Sequence, residues 1–212
     1  MKKLLPPNLT PERLARAAVD YLGRYAASEA SLRRVLANRL RRAAMRDPGF
    51  AADQKKIAML RDAIENIVER HKKSGALNDL AFAETKINSL RRAGKSSRAI
   101  TQKLGYAGVG KDMIKQALEG NEAGLDAEEA EIKAAYTCAK RRKLGPFRAK
   151  GLAGIGKKQI KEGADAARNR KELAFMARAG FPLALARRVL GSHLETEDEG
   201  GTVWEDDGFS EK

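Results

Sequence analysis

Two segments of this chain spell a phosphate-binding pattern. Gly105 to Lys111 and Gly151 to Lys157 both read G-x-x-x-x-G-K. In a nucleotide site of that kind, glycine N–H groups cradle the phosphates and the lysine reaches the outermost ones. The same chemistry needs Ser or Thr next, to hold magnesium, and a strand ahead of the loop. Asp112 and Lys158 stand there instead, and the apolar spacing before both loops is helical. Nucleotide binding is therefore not expected. His71 and His193 lie far apart, and the acids of the body are scattered, as at Asp20, Asp62, Asp79 and Asp112. A nuclease would need clustered acids or a histidine constellation. A single cysteine, Cys138, excludes an internal disulfide and a multi-cysteine metal site, and its alanine neighbours favour buried packing. No catalytic, cofactor-binding or metal-ligating residues are expected, and the chain reads as a non-enzyme.

The chemistry that remains is charge. The formal net charge is +14, yet eight acids and one lysine fall from Glu195 onward, leaving about +21 for residues 1–194. A body this basic suits a polyanion, nucleic acid being the commonest. Residues 140–171 hold twelve Lys or Arg against two acids. Lys140, Arg141, Arg142 and Lys143 crowd one helix end, where the macrodipole accounts for one or two cations and not four. With Arg148, Lys150, Lys157 and Lys158 they form the first candidate contact surface; Arg91, Arg92, Lys95 and Arg98, near Lys103, form a second. Leu152 to Ile160 resembles a helix-hairpin-helix loop, whose backbone N–H groups would meet a phosphate; a flexible basic loop is the simpler reading. The acidic tail reads as a disordered solubilising segment, or as a DNA mimic occupying the basic face. Tyr21, Tyr25, Phe82, Phe175 and Phe181 fall on apolar stripes and are expected in the core, not as base-stacking platforms.

Helices must position these groups. Aromatics are only 5% of the chain, and Ala, Leu, Arg, Lys and Glu dominate, which favours helix over sheet. Thr10-Pro11 predicts a capped start, followed by a stripe through Leu14, Ala18, Tyr21, Leu22 and Tyr25. Ser28 or Ser31 caps a second helix with Leu32, Val35, Leu36 and Leu40, broken by Asp47-Pro48-Gly49. A third carries Ile57, Leu60, Ile64, Ile67 and Val68. A further helix follows over Asn78–Gly94, Ser96 or Ser97 caps the next one with Ile100 and Leu104, and others run over Asp112–Leu118 and from about Ala127 to Lys143, with helical pattern resuming at Leu173 and again at Leu185. The Met1-Lys2-Lys3-Leu4-Leu5 opening meets Pro6-Pro7 and makes no signal-peptide core, and no apolar run has the length of a membrane span. A cytoplasmic protein is expected.

The pattern repeats. Leu104, Gly108, Val109, Ile114, Ala117 and Leu118 recur 72 positions later as Met176, Gly180, Phe181, Ala186, Val189 and Leu190. Each set is an apolar helix end, a glycine stop, an apolar residue folding back, and a helix presenting its i, i+3 and i+4 positions. Ile64, Ile67 and Val68 match the last three positions. The reading is an all-α chain of three tandem three-helix repeats in an elongated, curved array. Its parts are a lead over 1–12, a first repeat over 13–76 with an insert near 41–54, a second over 77–120, a third over 125–191 with a basic Gly-rich insert near 148–171, and the tail 192–212.

Gly75-Ala76-Leu77-Asn78-Asp79-Leu80-Ala81-Phe82-Ala83 resembles the G-x-L-[ND]-D-x-x-F-A signature of the RecX family. Arg91-Arg92-Ala93-Gly94-Lys95 with Ile100 and Leu104, Ala177 to Phe181, Ala186 to Leu190, and Gly145-Pro146-Phe147-Arg148 are similar to other stretches of that family. The opening Ala17 to Leu22 with Ser28 and Leu32 resembles its first unit. The resemblance covers about residues 13–191. It implies a regulator that binds the RecA filament, contacts single- and double-stranded DNA, and inhibits recombinase and ATPase activity in SOS-linked DNA repair and recombination, as a monomer without cofactor or membrane. The other reading of the charge is a general DNA-binding protein with no RecA partner.

Overall fold

The computed structural model describes residues 9–121, 126–148 and 161–191. Lys150, Lys157, Lys158, the hairpin-like loop and the acidic tail lie outside the described residues. The described chain is helical, with no strand. Its helices are α1 (Pro11–Leu22), α2 (Glu29–Arg46), α3 (Pro48–Ala52), α4 (Gln54–Lys73), α5 (Asp79–Arg92), α6 (Ser97–Tyr106), α7 (Lys111–Asn121), α8 (Ala127–Arg142), α9 (Lys161–Arg178) and α10 (Leu183–Gly191), with a 3-10 turn at Gly145–Phe147. None is long and apolar enough to cross a membrane.

Local chemistry sets the starts. Thr10 accepts from the Arg13 N–H with Pro11 in the first turn of α1, and Ser28 accepts from the Ser31 N–H to open α2. Asp47 closes α2 and opens α3, its carboxylate accepting from Gly49 and Phe50 N–H. Asp53 does the same for α4 through Lys56. Each cap contributes about 1 kcal/mol. The apolar stripes contribute more, about 1.5–3 kcal/mol for each fully buried Leu or Ile. These stripes close into three clusters among the described residues. Leu14, Leu32, Leu36, Leu60 and Val68 centre the first, with Phe50 of α3 filling its edge and Leu77 closing it. Ile87, Ile100, Leu104 and Ile114 form the second; Ala135, Ala139, Met176, Ala186 and Val189 form the third.

By contact the chain groups into two compact units, Met1–Arg91 with Ser97–Ala127, and Arg92–Ser96 with Glu128–Lys212. One joint occurs in each. In the first unit Ser28 Oγ donates to the carbonyl of Ala107, the residue before Gly108. In the second, Ser96 Oγ donates to the carbonyl of Ala179, the residue before Gly180, at 2.6 Å. Both serines are fully buried. Each stands directly before a helix, and the accepting carbonyls of Ala107 and Ala179 keep the 72-residue recurrence.

The Gly75–Ala83 stretch is explained residue by residue. Gly75 takes a left-handed φ of 74° and ends α4. Leu77 enters the first cluster, while Phe82 and Ala83 enter the second. Asn78 Oδ1 accepts from the Ala81 N–H at 3.0 Å, opening α5. Asp79 Oδ1 accepts from the Glu29 N–H at 2.8 Å and so ties α5 to the start of α2. Burial pushes the Asp79 carboxyl above its ordinary value, against the pull of that hydrogen bond. A raised carboxyl favours the fold most when protonated, and that contribution is lost as pH rises through the folded value. At pH 7, Asp79→Asn is therefore expected to keep the acceptor and match or exceed native stability. Asp79→Ala, which orphans the Glu29 N–H, should cost about 1–2 kcal/mol. Urea midpoints at pH 7 check this; an Asn variant less stable than the Ala variant rejects it.

Two expectations change. The periodicity predicts helix from Leu173, yet α9 begins at Lys161, inside the stretch expected as a Gly-rich insert. Residues 166–171 are all exposed, so this half of the helix carries no apolar period. It is held instead by Ala- and Arg-rich propensity and by the buried turn that follows. Tyr25 is not a core residue: it is 59% exposed, because α1 stops at Leu22 and leaves it in the connecting turn. Tyr21 and Phe175 are half-buried, and Phe82 and Phe181 are buried as the stripes require.

Candidate polyanion-binding surface

The C-terminal turn of α8 carries Lys140, Arg141 and Arg142, with Lys143 next in a left-handed φ of 55°. All four are exposed and lack a carboxylate partner among the described residues. Arg142 lies 5.6 Å from the centroid of the Phe175 ring, a cation–π contact that fixes its direction. Within the same unit the Arg92–Ser96 turn packs on α8 at Gly94. A Cβ there would sit 2.6 Å from the Cys138 nitrogen. That approach joins parts of two basic runs that are far apart in sequence. Burial pushes the Cys138 thiol up, while Lys95, Arg142 and Arg141 pull against it. A buried thiol kept protonated is a packing group and not a nucleophile.

Other expected contacts have different places. Arg148 donates through Nε to Glu172 at 2.8 Å and through its terminal nitrogen to the other Glu172 oxygen at 2.7 Å, and it also donates to Asn169. Glu172 is 8% exposed and accepts from the Gly145 N–H as well. Arg148 therefore holds the 3-10 turn against α9. Arg91, half-buried, donates to Ser97 Oγ at 2.6 Å and clamps the start of α6. Arg92 is exposed, and Arg98 is exposed on α6 in the first unit. Of the expected residues that are described, Arg92, Arg98, Lys140, Arg141, Arg142 and Lys143 are presented to solvent, and Lys95 is half-buried.

Several further cations, some of them within the basic stretch 140–171, are not among the expected contact residues. In the second unit, Arg168, Arg170, Lys171 and Arg178 are exposed on α9, and Arg187 and Arg188 on α10. In the first, α2 has six arginines and one acid in 18 residues. Arg33 pairs with Glu65 at 2.9 Å and Arg34 donates to the Tyr106 carbonyl, but Arg39, Arg41, Arg42 and Arg46 are exposed. The i, i+3, i+7 spacing of Arg39, Arg42 and Arg46 is the signal that could have found them. Among the described residues no group of three or more His, Cys, Asp or Glu could hold a metal ion.

Among the described residues the protein is helical and exposes many cations in each unit. A family model described as the second three-helix domain of RecX matches residues 78–118, the span of α5 to α7. The chain is 33% identical over 188 residues to a regulatory protein RecX of Myxococcus xanthus, covering 89% of each chain. It is 30% identical over 124 residues to one from Agrobacterium fabrum, 58% of this chain and 56% of that one. It is also 31% identical over 140 residues to one from Mycobacterium tuberculosis, 65% and 71% respectively. The chain belongs to the RecX family of regulatory proteins.

Proposed function

We propose that this regulatory protein acts without catalysis, by binding the RecA filament and restraining its recombinase and ATPase activity during DNA repair and recombination. The observation that carries the reading is family membership along nine-tenths of the chain. The exposed cations of α8 and the exposed Arg92 support it, being available to DNA phosphates or to acidic protein surface. In this reading three helix triplets, each with its own apolar cluster, form an array whose units contact mainly their neighbours. The protein works as a cytoplasmic monomer.

RecA's DNA-dependent ATP hydrolysis on single-stranded DNA, titrated with the protein at fixed moderate salt, tests this. Inhibition is expected well below one molecule per RecA, as a blocked filament end or subunit-addition step requires. Inhibition that begins only when the protein saturates DNA would replace the proposal with simple competition for DNA.

A further inference from the structure

The turn after α1 leaves an aromatic pair beside two arginines. Asp20, Tyr21, Arg24, Tyr25 and Arg39 line an open pocket of about 190 Å3. Tyr21 packs against the first apolar cluster, whereas Tyr25 is 59% exposed. Their ring centroids are 5.3 Å apart, with planes inclined at 41°. One ring is thus anchored on the core and positions the other at the surface. Arg24 and Arg39 are exposed and have no carboxylate partner among the described residues. Arg42 and Arg46 follow Arg39 at i+3 and i+7, so the cationic row continues along α2 away from the pocket.

This combination selects its ligand. Pockets that enclose a whole small molecule usually run ~300–1,000 Å3, so this one suits a single planar ring with the rest of the ligand outside. Its walls are tyrosine rings and guanidinium groups with no aliphatic floor. A base stacks on an aromatic face whatever its identity, and arginines beside it meet the flanking phosphates. Asp20 supplies an acceptor for an exocyclic amino group. Duplex DNA keeps its bases stacked and cannot offer a ring.

We propose that this pocket takes one unstacked base of a single-stranded nucleic acid, with the adjoining phosphates at Arg24 and Arg39. The pocket belongs to the first unit and the α8 cations to the second. Its test contains no RecA, so it stands or falls independently of the filament reading.

The test is fluorescence anisotropy of the full chain with a short labelled oligodeoxynucleotide, the same oligomer made abasic, and a duplex. Tyr25→Ala is expected to bind the single strand about tenfold more weakly, within the range of one base–aromatic stack. It should leave the salt dependence and the abasic and duplex affinities as in the native chain. Tyr25→Phe, which keeps the ring face, should bind like the native protein. Arg39→Ala should reduce the slope of log affinity against log salt by about 0.7, as one lost phosphate contact on a single strand requires. Circular dichroism checks that each variant is folded. Native affinity in Tyr25→Ala, or an equal loss on abasic and intact strands, overturns the proposal.

Discussion

Replacing Gly108 by alanine is expected to destabilise the first unit by about 2–5 kcal/mol, although it adds one methyl group. Gly108 has a φ of 82°, and an L-residue in the left-handed region costs about 1–2 kcal/mol. Its Cβ would also lie 2.2 Å from the Cβ of Ala30. Alanine has no rotamer to turn aside, so either α2 or the α6–α7 turn must move. Overpacking of that kind costs about 1–3 kcal/mol. Movement would also part Ser28 from the Ala107 carbonyl, the residue immediately before the glycine. Gly75 provides the control. It has a similar φ of 74°, and nothing lies within 4 Å of its Cβ position. Gly75→Ala should therefore cost only the backbone contribution, about 1–2 kcal/mol. Chemical denaturation of both variants measures the difference. Equal losses would show that the approach of the turn to α2 carries no energy of its own. Gly94→Ala is expected to act like Gly108→Ala in the second unit, because it meets the Cys138 backbone.

Removing the Glu172 carboxylate should cost about 1–3 kcal/mol, the usual penalty for stranding hydrogen-bond donors in a partly buried, charged pair. Burial opposes charge on Glu172, but the hydrogen bonds from Arg148 and Gly145 outweigh it, and the carboxyl titrates below its ordinary value of 4.5. A lowered carboxyl stabilises the fold above the unfolded value, and that contribution is lost as pH falls through the folded one. The native protein should thus lose stability on acidification below about pH 4.5, and Glu172→Gln should lose less over the same interval. Parallel acid curves for the two proteins would remove the pair from the account. Arg148→Ala separates structure from binding. It should lower stability with little change in the salt slope of DNA binding, whereas Arg141→Ala should lower the slope and leave stability nearly intact.

Much of this chain is legible in its sequence. Apolar period alone places Leu14, Leu36, Ile64, Ile87, Leu104 and Val189 inside, since a helix must turn one stripe toward other apolar surface. Caps such as Thr10 and Ser28 are local, reaching three residues, so sequence neighbours suffice to find them. The glycines that stop helices and recur with the apolar pattern are local for the same reason. The family signature over Gly75–Ala83 then points to the family to which the chain belongs.

The linear pattern does not contain which residue meets which across long separations. Arg148 and Arg142 look alike in a run of cations, yet one is held by Glu172, 24 residues away, and the other remains exposed. Ser28 and Ser96 look like ordinary caps until their hydroxyls are seen to reach carbonyls 79 and 83 residues further on. Tyr25 keeps the helical spacing of Tyr21 but falls beyond the end of α1, so the stripe that buries one leaves the other at the surface. Helical periodicity fixes a direction about an axis. Only the packing of one axis against another decides whether that direction ends in a core, an ion pair or water.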